Sequence, residues 1–121
     1  MGERYTSLLS GLPQLKLPLT ETAYSRNIYW VYGLVLSDDV NMDAAEAMRR
    51  LAKKGIGTRP FFWPLHLQPV LKNYGLATDQ VFPVAENLGK RGFYLPSGLA
   101  LDVSQIEEVV RSVHEVLDER S

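Results

Sequence analysis

A chain of 121 residues is the length of one ordinary domain and is long enough to bury a real core. Its hydrophobic and charged fractions, 45% and 22%, are those of a globular protein, and a formal net charge of -1 gives no general attraction for nucleic acid or an anionic membrane. The absence of cysteine excludes disulfides and thiolate metal sites, and no apolar run approaches the roughly 20 residues that a membrane-spanning helix needs. The opening Met1-Gly2-Glu3-Arg4 lacks the apolar core of a signal peptide, so a cytoplasmic location is expected.

Tyr5, Leu8, Leu9 and Leu12 have helical spacing in a segment stopped by Gly11 and Pro13. This segment begins abruptly, like the tail of a longer helix. Leu15 to Leu19, broken by Pro18, suits a sheet edge. Ile28 to Leu36 reads as the main strand, with Ile28, Trp30, Tyr32, Leu34 and Leu36 on one face and Tyr29, Val31 and Val35 on the other. Both faces are apolar, so both call for cover. Trp30 and Tyr32 are expected in the core or against a further domain.

A helix is expected from about Met42 to Lys54, with Asn41 as N-cap and Gly55 as its stop. Ala45, Met48, Leu51 and Ala52 would form its buried stripe, and Arg49, Arg50, Lys53 and Lys54 a solvated face. Ile56 to Phe62 reads as a second strand, His66 to Tyr74 as a short helix or turns ending at Gly75, and Pro83 to Gly92 as another short helix. Phe93 to Pro96 is a brief strand. In the last helix Asp102 and Gln105 form a capping box, Leu101 and Ile106 a staple, and Ile106, Val109, Val110, Val113 and Leu117 a core stripe, while His114 is solvated. The chain therefore reads as one α+β domain, a small, mostly antiparallel sheet with helices packed on one side.

The densest chemistry lies in Gly55-Ile56-Gly57-Thr58-Arg59-Pro60-Phe61-Phe62-Trp63-Pro64-Leu65-His66. A guanidinium, three aromatic rings and one of two histidines fall where a strand ends in a proline-shaped loop, the usual place for binding groups. Arg59 can clamp phosphate or carboxylate, or pack as a surface residue; His66 can meet a sugar or phosphate oxygen, or satisfy a neighbouring group. Phe61, Phe62 and Trp63 alternate in direction, and Phe62 is assigned to the cleft side. No glycine-rich phosphate loop, Ser/His/Asp set or metal-ligand cluster is present.

From Asn27 to Leu117 the order of motifs resembles the C-terminal small domain of DegT-type sugar aminotransferases. The aromatic strand Asn27-Ile28-Tyr29-Trp30-Val31-Tyr32 leads to an amphipathic helix ending in Lys-Lys-Gly-Ile, then to the Gly-Thr-Arg-Pro and Pro-Leu-His loop. A Pro-x-Ala-Glu-x-Leu helix, the Phe-Tyr-Leu-Pro-Ser-Gly run at Phe93 to Gly98 and a capped helix follow. The wording of the loop is most similar to perosamine-synthase-like members, which act on GDP-linked keto-sugars.

The resemblance implies a small domain at residues 27–121, preceded by a linker helix and edge segment at 1–26. It implies a pyridoxal phosphate enzyme that aminates a nucleotide-linked keto-sugar and is a homodimer when whole. Arg59, Phe62 and His66 would bind substrate on one rim, facing a large domain. The family holds its cofactor on a lysine of that large domain, amid small and hydroxyl-bearing residues. None of the five lysines here (Lys16, Lys53, Lys54, Lys72 and Lys90) has such a context, and the Gly-x-Asn-x-Arg segment that follows it in the family is absent. No catalytic, cofactor-binding or metal-binding residue is therefore expected in this chain, and alone it should be inactive. The alternative is a free-standing α+β ligand-binding or dimerisation domain.

Overall fold

The computed structural model describes residues 1–76 and 80–119. Its sheet has the order β1-β2-β4-β3, built from β1 (Leu15–Lys16), β2 (Tyr32–Leu36), β3 (Arg59–Pro60) and β4 (Gly92–Leu95). Every pairing is antiparallel. The helices are α1 (Gly2–Leu9), α2 (Ala44–Lys53), α3 (Pro69–Asn73), α4 (Pro83–Arg91) and α5 (Val103–Asp118), with one 3-10 turn at Leu65–Leu67.

Strand alternation builds the core. Tyr32, Leu34 and Leu36 turn to one face of β2, and the register sets Leu95 beside Tyr32 and Phe93 beside Leu34. Tyr5 and Leu9 of α1, Ala44, Ala47 and Leu51 of α2, and Ile106, Val109, Val110, Val113 and Val116 of α5 join them in one buried cluster. The α+β sheet with helices layered on one side is thus observed. Burial of each large apolar side chain in this layer contributes on the order of 1.5–3 kcal/mol. The capping box of α5 is also present: Asp102 accepts from the Gln105 backbone at 2.8 Å, and the Gln105 side chain accepts from the Asp102 backbone at 3.0 Å.

Several boundaries differ from those expected, each for a local reason. β2 begins at Tyr32, not Ile28. The Asn27 side chain accepts from the Tyr29 N–H at 2.8 Å and donates to the Leu19 carbonyl at 3.0 Å, and Tyr29 adopts a positive φ of 50°, so this stretch is a turn. Ile28 and Trp30 consequently point to solvent, 88% and 75% exposed, rather than into the core. α2 is capped by Asp43, which accepts from the Glu46 N–H at 2.9 Å, and not by Asn41. Its buried stripe is Ala44, Ala47 and Leu51, with Met48 half-buried against the core, whereas Ala45 and Ala52 are exposed. β3 is only two residues long and lies at the sheet edge, where Pro60, which has no N–H to donate, is tolerated. In α5 it is Val116, not Leu117, that is fully buried. In the first segment Tyr5 and Leu9 are wholly enclosed. The basic face of α2 is ion-paired, with Arg50 2.6 Å from Glu46 and Lys54 2.8 Å from Glu115.

Burial gives the core one pH-sensitive element. The Tyr5 hydroxyl donates to the Pro96 carbonyl at 3.0 Å, and its ring packs 4.9 Å from that of Tyr32. Desolvation, reinforced by Tyr32, pushes the Tyr5 hydroxyl up to about 12 from an ordinary 10.0, and burial raises Tyr32 as well. Stability supplied by these neutral phenols is complete below pH 10 and is lost as pH rises from 10 towards 12, because the unfolded chain ionises first. Denaturant titrations across that interval should show stability falling for the parent and falling less for Tyr5→Phe; parallel curves would refute the assignment.

Candidate functional site

The second face of the sheet is built to receive a ring. Gly33, Val35, Gly92 and Tyr94 alternate away from the core. Phe61, just beyond β3, donates its backbone N–H to the Gly92 carbonyl at 3.3 Å, and its ring stacks on Tyr94 at 4.7 Å. A Cβ at Gly33 or Gly92 would stand 3.0 or 2.4 Å from that ring, so both positions lack a side chain where Phe61 lies. Among the described residues, α4 is the one long helix off the core layer. Its Val84 and Leu88 face Val35, Phe61, Leu17 and Pro18 across an open groove of about 630 Å³. Lys16 lines the groove, and no acidic residue among the described ones does. A smaller hollow between Phe61, Phe62, Pro64, Leu88 and Tyr94 continues from it.

Arg59 is exposed on the edge strand and pairs in register with Tyr94, so the two share a face. Among the described residues its guanidinium has no ion-pair or hydrogen-bond partner. Phe62 is 80% exposed, and Trp63 beside it is also open to solvent. His66 is placed differently. It is only 6% exposed, inside the 3-10 turn, with Nε2 2.8 Å from Glu86 Oε1 and its ring edge-on to Phe82 at 4.8 Å. The same Glu86 oxygen accepts the Phe82 N–H at 3.0 Å. These two bonds, that of Phe82 first, hold the Glu86 carboxyl below its ordinary range. Glu86 therefore fastens the Pro-Leu-His loop to the first turns of α4. The loop is tied again where Gln68 donates to the Trp63 carbonyl at 3.3 Å.

The three residues expected on one open rim thus divide: Arg59 and Phe62 are exposed, whereas His66 is enclosed with a carboxylate partner. Tyr94 and Glu86 were not singled out from the sequence. The alternation of Phe93-Tyr94-Leu95 would have set Tyr94 on the sheet face opposite the core. Glu86 had the Pro-x-Ala-Glu-x-Leu motif as its only signal. The lysines are scattered. Lys16 lies 3.8 Å from Asp38, Lys54 pairs with Glu115 and Glu119, and Lys53, Lys72 and Lys90 are exposed. No group of His, Asp or Glu among the described residues could hold a metal ion, and no helix is long and apolar enough to cross a membrane.

Residues 1–114 match the model of the DegT/DnrJ/EryC1/StrS aminotransferase family. The chain belongs to that family. The GDP-perosamine synthase of Vibrio cholerae is 31% identical over 114 residues, which are 93% of this chain and 30% of that protein. The GDP-perosamine synthase of Caulobacter vibrioides is 30% identical over 92 residues, 76% of this chain and 24% of that protein. Among solved structures, the aminotransferase TlmJ from Streptoalloteichus hindustanus superposes with a TM-score of 0.80 at 29% identity, covering 96% of this chain and 30% of that one. The chain thus spans less than a third of the length of these family members. Its antiparallel sheet and helical layer are a fold that sugar aminotransferases contain.

Proposed function

We propose that the chain is the C-terminal small domain of a pyridoxal phosphate-dependent aminotransferase that aminates a nucleotide-linked keto-sugar. The observation that carries this reading is the family match over nearly the whole chain, joined to a coverage of only 30% of a GDP-perosamine synthase. In this reading residues 27–121 form the small domain, and residues 1–26 are the helix and edge strand of the junction. The remaining length forms a large domain, and the whole enzyme is a homodimer.

When bound, pyridoxal phosphate supplies the electron sink for moving an amino group. Among the described residues none fits it: the lining of the groove with Lys16 holds no acid to face a pyridine nitrogen, Lys16 itself lies beside Asp38, and Lys54 is committed to two glutamates. The cofactor is then held elsewhere in the parent protein, and this domain contributes substrate contacts. The unpartnered guanidinium of Arg59 suits charge-assisted bonds to a pyrophosphate. Phe62 offers an exposed apolar surface on the hollow it shares with Phe61 and Tyr94. His66 forms the wall behind the loop, oriented by Glu86 so that its other ring nitrogen is the one left for a sugar oxygen.

In the natural-length enzyme, Arg59→Ala and His66→Ala should each weaken kcat/KM for the nucleotide sugar by about 1.5 to 3 kcal/mol, the range for hydrogen bonds to charged groups. The absorbance of the bound cofactor should be unchanged, since neither residue touches it. Unaltered kinetics in both variants would reduce the loop to a structural corner.

A further inference from the structure

We infer that Glu86 is a positioning residue for substrate: it fixes the hydrogen of His66 on Nε2, so that the ring presents Nδ1 as an acceptor and selects a hydroxyl group of the sugar. The inference deepens the proposed aminotransferase reading and rests on it.

The polarity of the contact follows from the partners. Glu86 Oε1 lies 2.8 Å from His66 Nε2 and also accepts the Phe82 N–H at 3.0 Å. These bonds, that of Phe82 first, keep the carboxyl ionised, and an ionised carboxylate can only accept. The hydrogen between Oε1 and Nε2 therefore belongs to the ring. The turn that carries the buried ring is itself closed, with the Leu67 and Gln68 N–H groups donating to the Pro64 and Leu65 carbonyls, each at 3.0 Å. Rotating the ring to exchange its nitrogens would break the bond to Glu86. Among the described residues Nδ1 has no hydrogen-bond partner.

A neutral imidazole with its hydrogen on Nε2 has a bare lone pair at Nδ1. Pyrophosphate oxygens and a keto oxygen are acceptors, so neither can bond to that lone pair. A sugar hydroxyl can donate to it. The line from hydroxyl through imidazole to carboxylate is then charge-assisted at its far end and polarised along its length. Arg59 has the opposite character, since a guanidinium carries donors and no acceptor. The two ends of the segment from Arg59 to His66 thus sort substrate groups by polarity, pyrophosphate to one and hydroxyl to the other. An analogue that lacks the hydroxyl leaves the enclosed nitrogen unpaired, which is an effective basis for rejection.

The chain has two histidines, so 15N NMR of the 121-residue chain reads the ring directly, with His114→Gln assigning the signals. At about pH 8, above the ordinary histidine range, His66 should show a protonated Nε2 and a bare Nδ1, and Glu86→Ala should let the two tautomers mix. A hydrogen on Nδ1, or on both nitrogens, in the unsubstituted chain would overturn the inference whether or not any variant folds. In the natural-length enzyme acting on a GDP-linked keto-sugar, Glu86→Ala should lower kcat/KM for the sugar at least about tenfold, chiefly through KM, and leave that for the amino donor unchanged. Adding Glu86→Ala to His66→Ala should cost nothing further, because Glu86 acts through the ring. Equal losses for both substrates, or full additivity, would reduce Glu86 to a structural residue. Among deoxy analogues of the nucleotide sugar, one should lose at least about tenfold with the unsubstituted enzyme and little with His66→Ala. The same losses in both enzymes for every analogue would remove the hydroxyl from the contact. A bare Nδ1 in a natural-length protein that transfers no amino group supports the hold of Glu86 on His66 and counts against the aminotransferase. An active aminotransferase whose His66 carries its hydrogen on Nδ1 refutes the positioning role alone.

Discussion

Gly92→Ala is expected to destabilise the domain by about 3 kcal/mol or more, at the upper end for overpacking. Backbone strain is not the cause, since φ -99° and ψ 142° suit any residue. The obstacle is space: a Cβ there would lie 2.4 Å from the Phe61 ring and 2.6 Å from the Leu88 carbonyl oxygen. The ring could swing away only by leaving Tyr94, and the carbonyl belongs to the last turn of α4 and cannot. Thermal melts should drop by roughly 10–15 °C. Gly57→Ala, where an added Cβ meets nothing within 4 Å, should be nearly neutral. If the two variants melt together, Phe61 is not packed against Gly92.

Arg91→Ala should cost about 3 kcal/mol through a different mechanism. Arg91 ends α4, and its guanidinium is largely enclosed. Nε donates to the Leu36 carbonyl at 3.0 Å, and Nη2 donates to the Val40 carbonyl at 2.9 Å and to that of Ser37. One side chain thus satisfies three carbonyls in the connection from β2 to α2. Hydrogen bonds to charged groups are each worth about 1.5–3 kcal/mol, and a shared donor makes them less than additive. Arg91→Lys keeps the charge but not the planar fork, so it should recover less than half of the loss. Equal stability of the Lys variant and the parent, measured by denaturant titration, would show that charge alone matters.

What could be read in the sequence was whatever depends on short-range spacing. The capping box of α5 and the stop of α2 at Gly55, which adopts a φ of 81°, were legible because each is set by residues within one turn. The start of β2 was not legible. Ile28 to Leu36 alternates like a strand throughout, and only the Asn27 side chain, by bonding the Tyr29 N–H, decides that the first residues turn away. The cap of α2 was misplaced for a similar reason, since Asn41 and Asp43 are both good caps and geometry chose Asp43. In the candidate site, the exposure of Arg59 and Phe62 follows from an edge strand ending in a proline-bound loop. The burial of His66 depends on Glu86, twenty residues away, and no local pattern announces that pairing.

The most direct test of the chain as one domain of a larger aminotransferase is retention of its cofactor. The 121-residue chain and the natural-length protein would each be incubated with pyridoxal phosphate, treated with borohydride, dialysed and examined by absorbance and peptide mass spectrometry. The natural-length protein should retain one cofactor per chain on a lysine outside these 121 residues, and the short chain should retain none. Stoichiometric labelling of one lysine within the short chain, or no retention by the natural-length protein, would contradict that assignment.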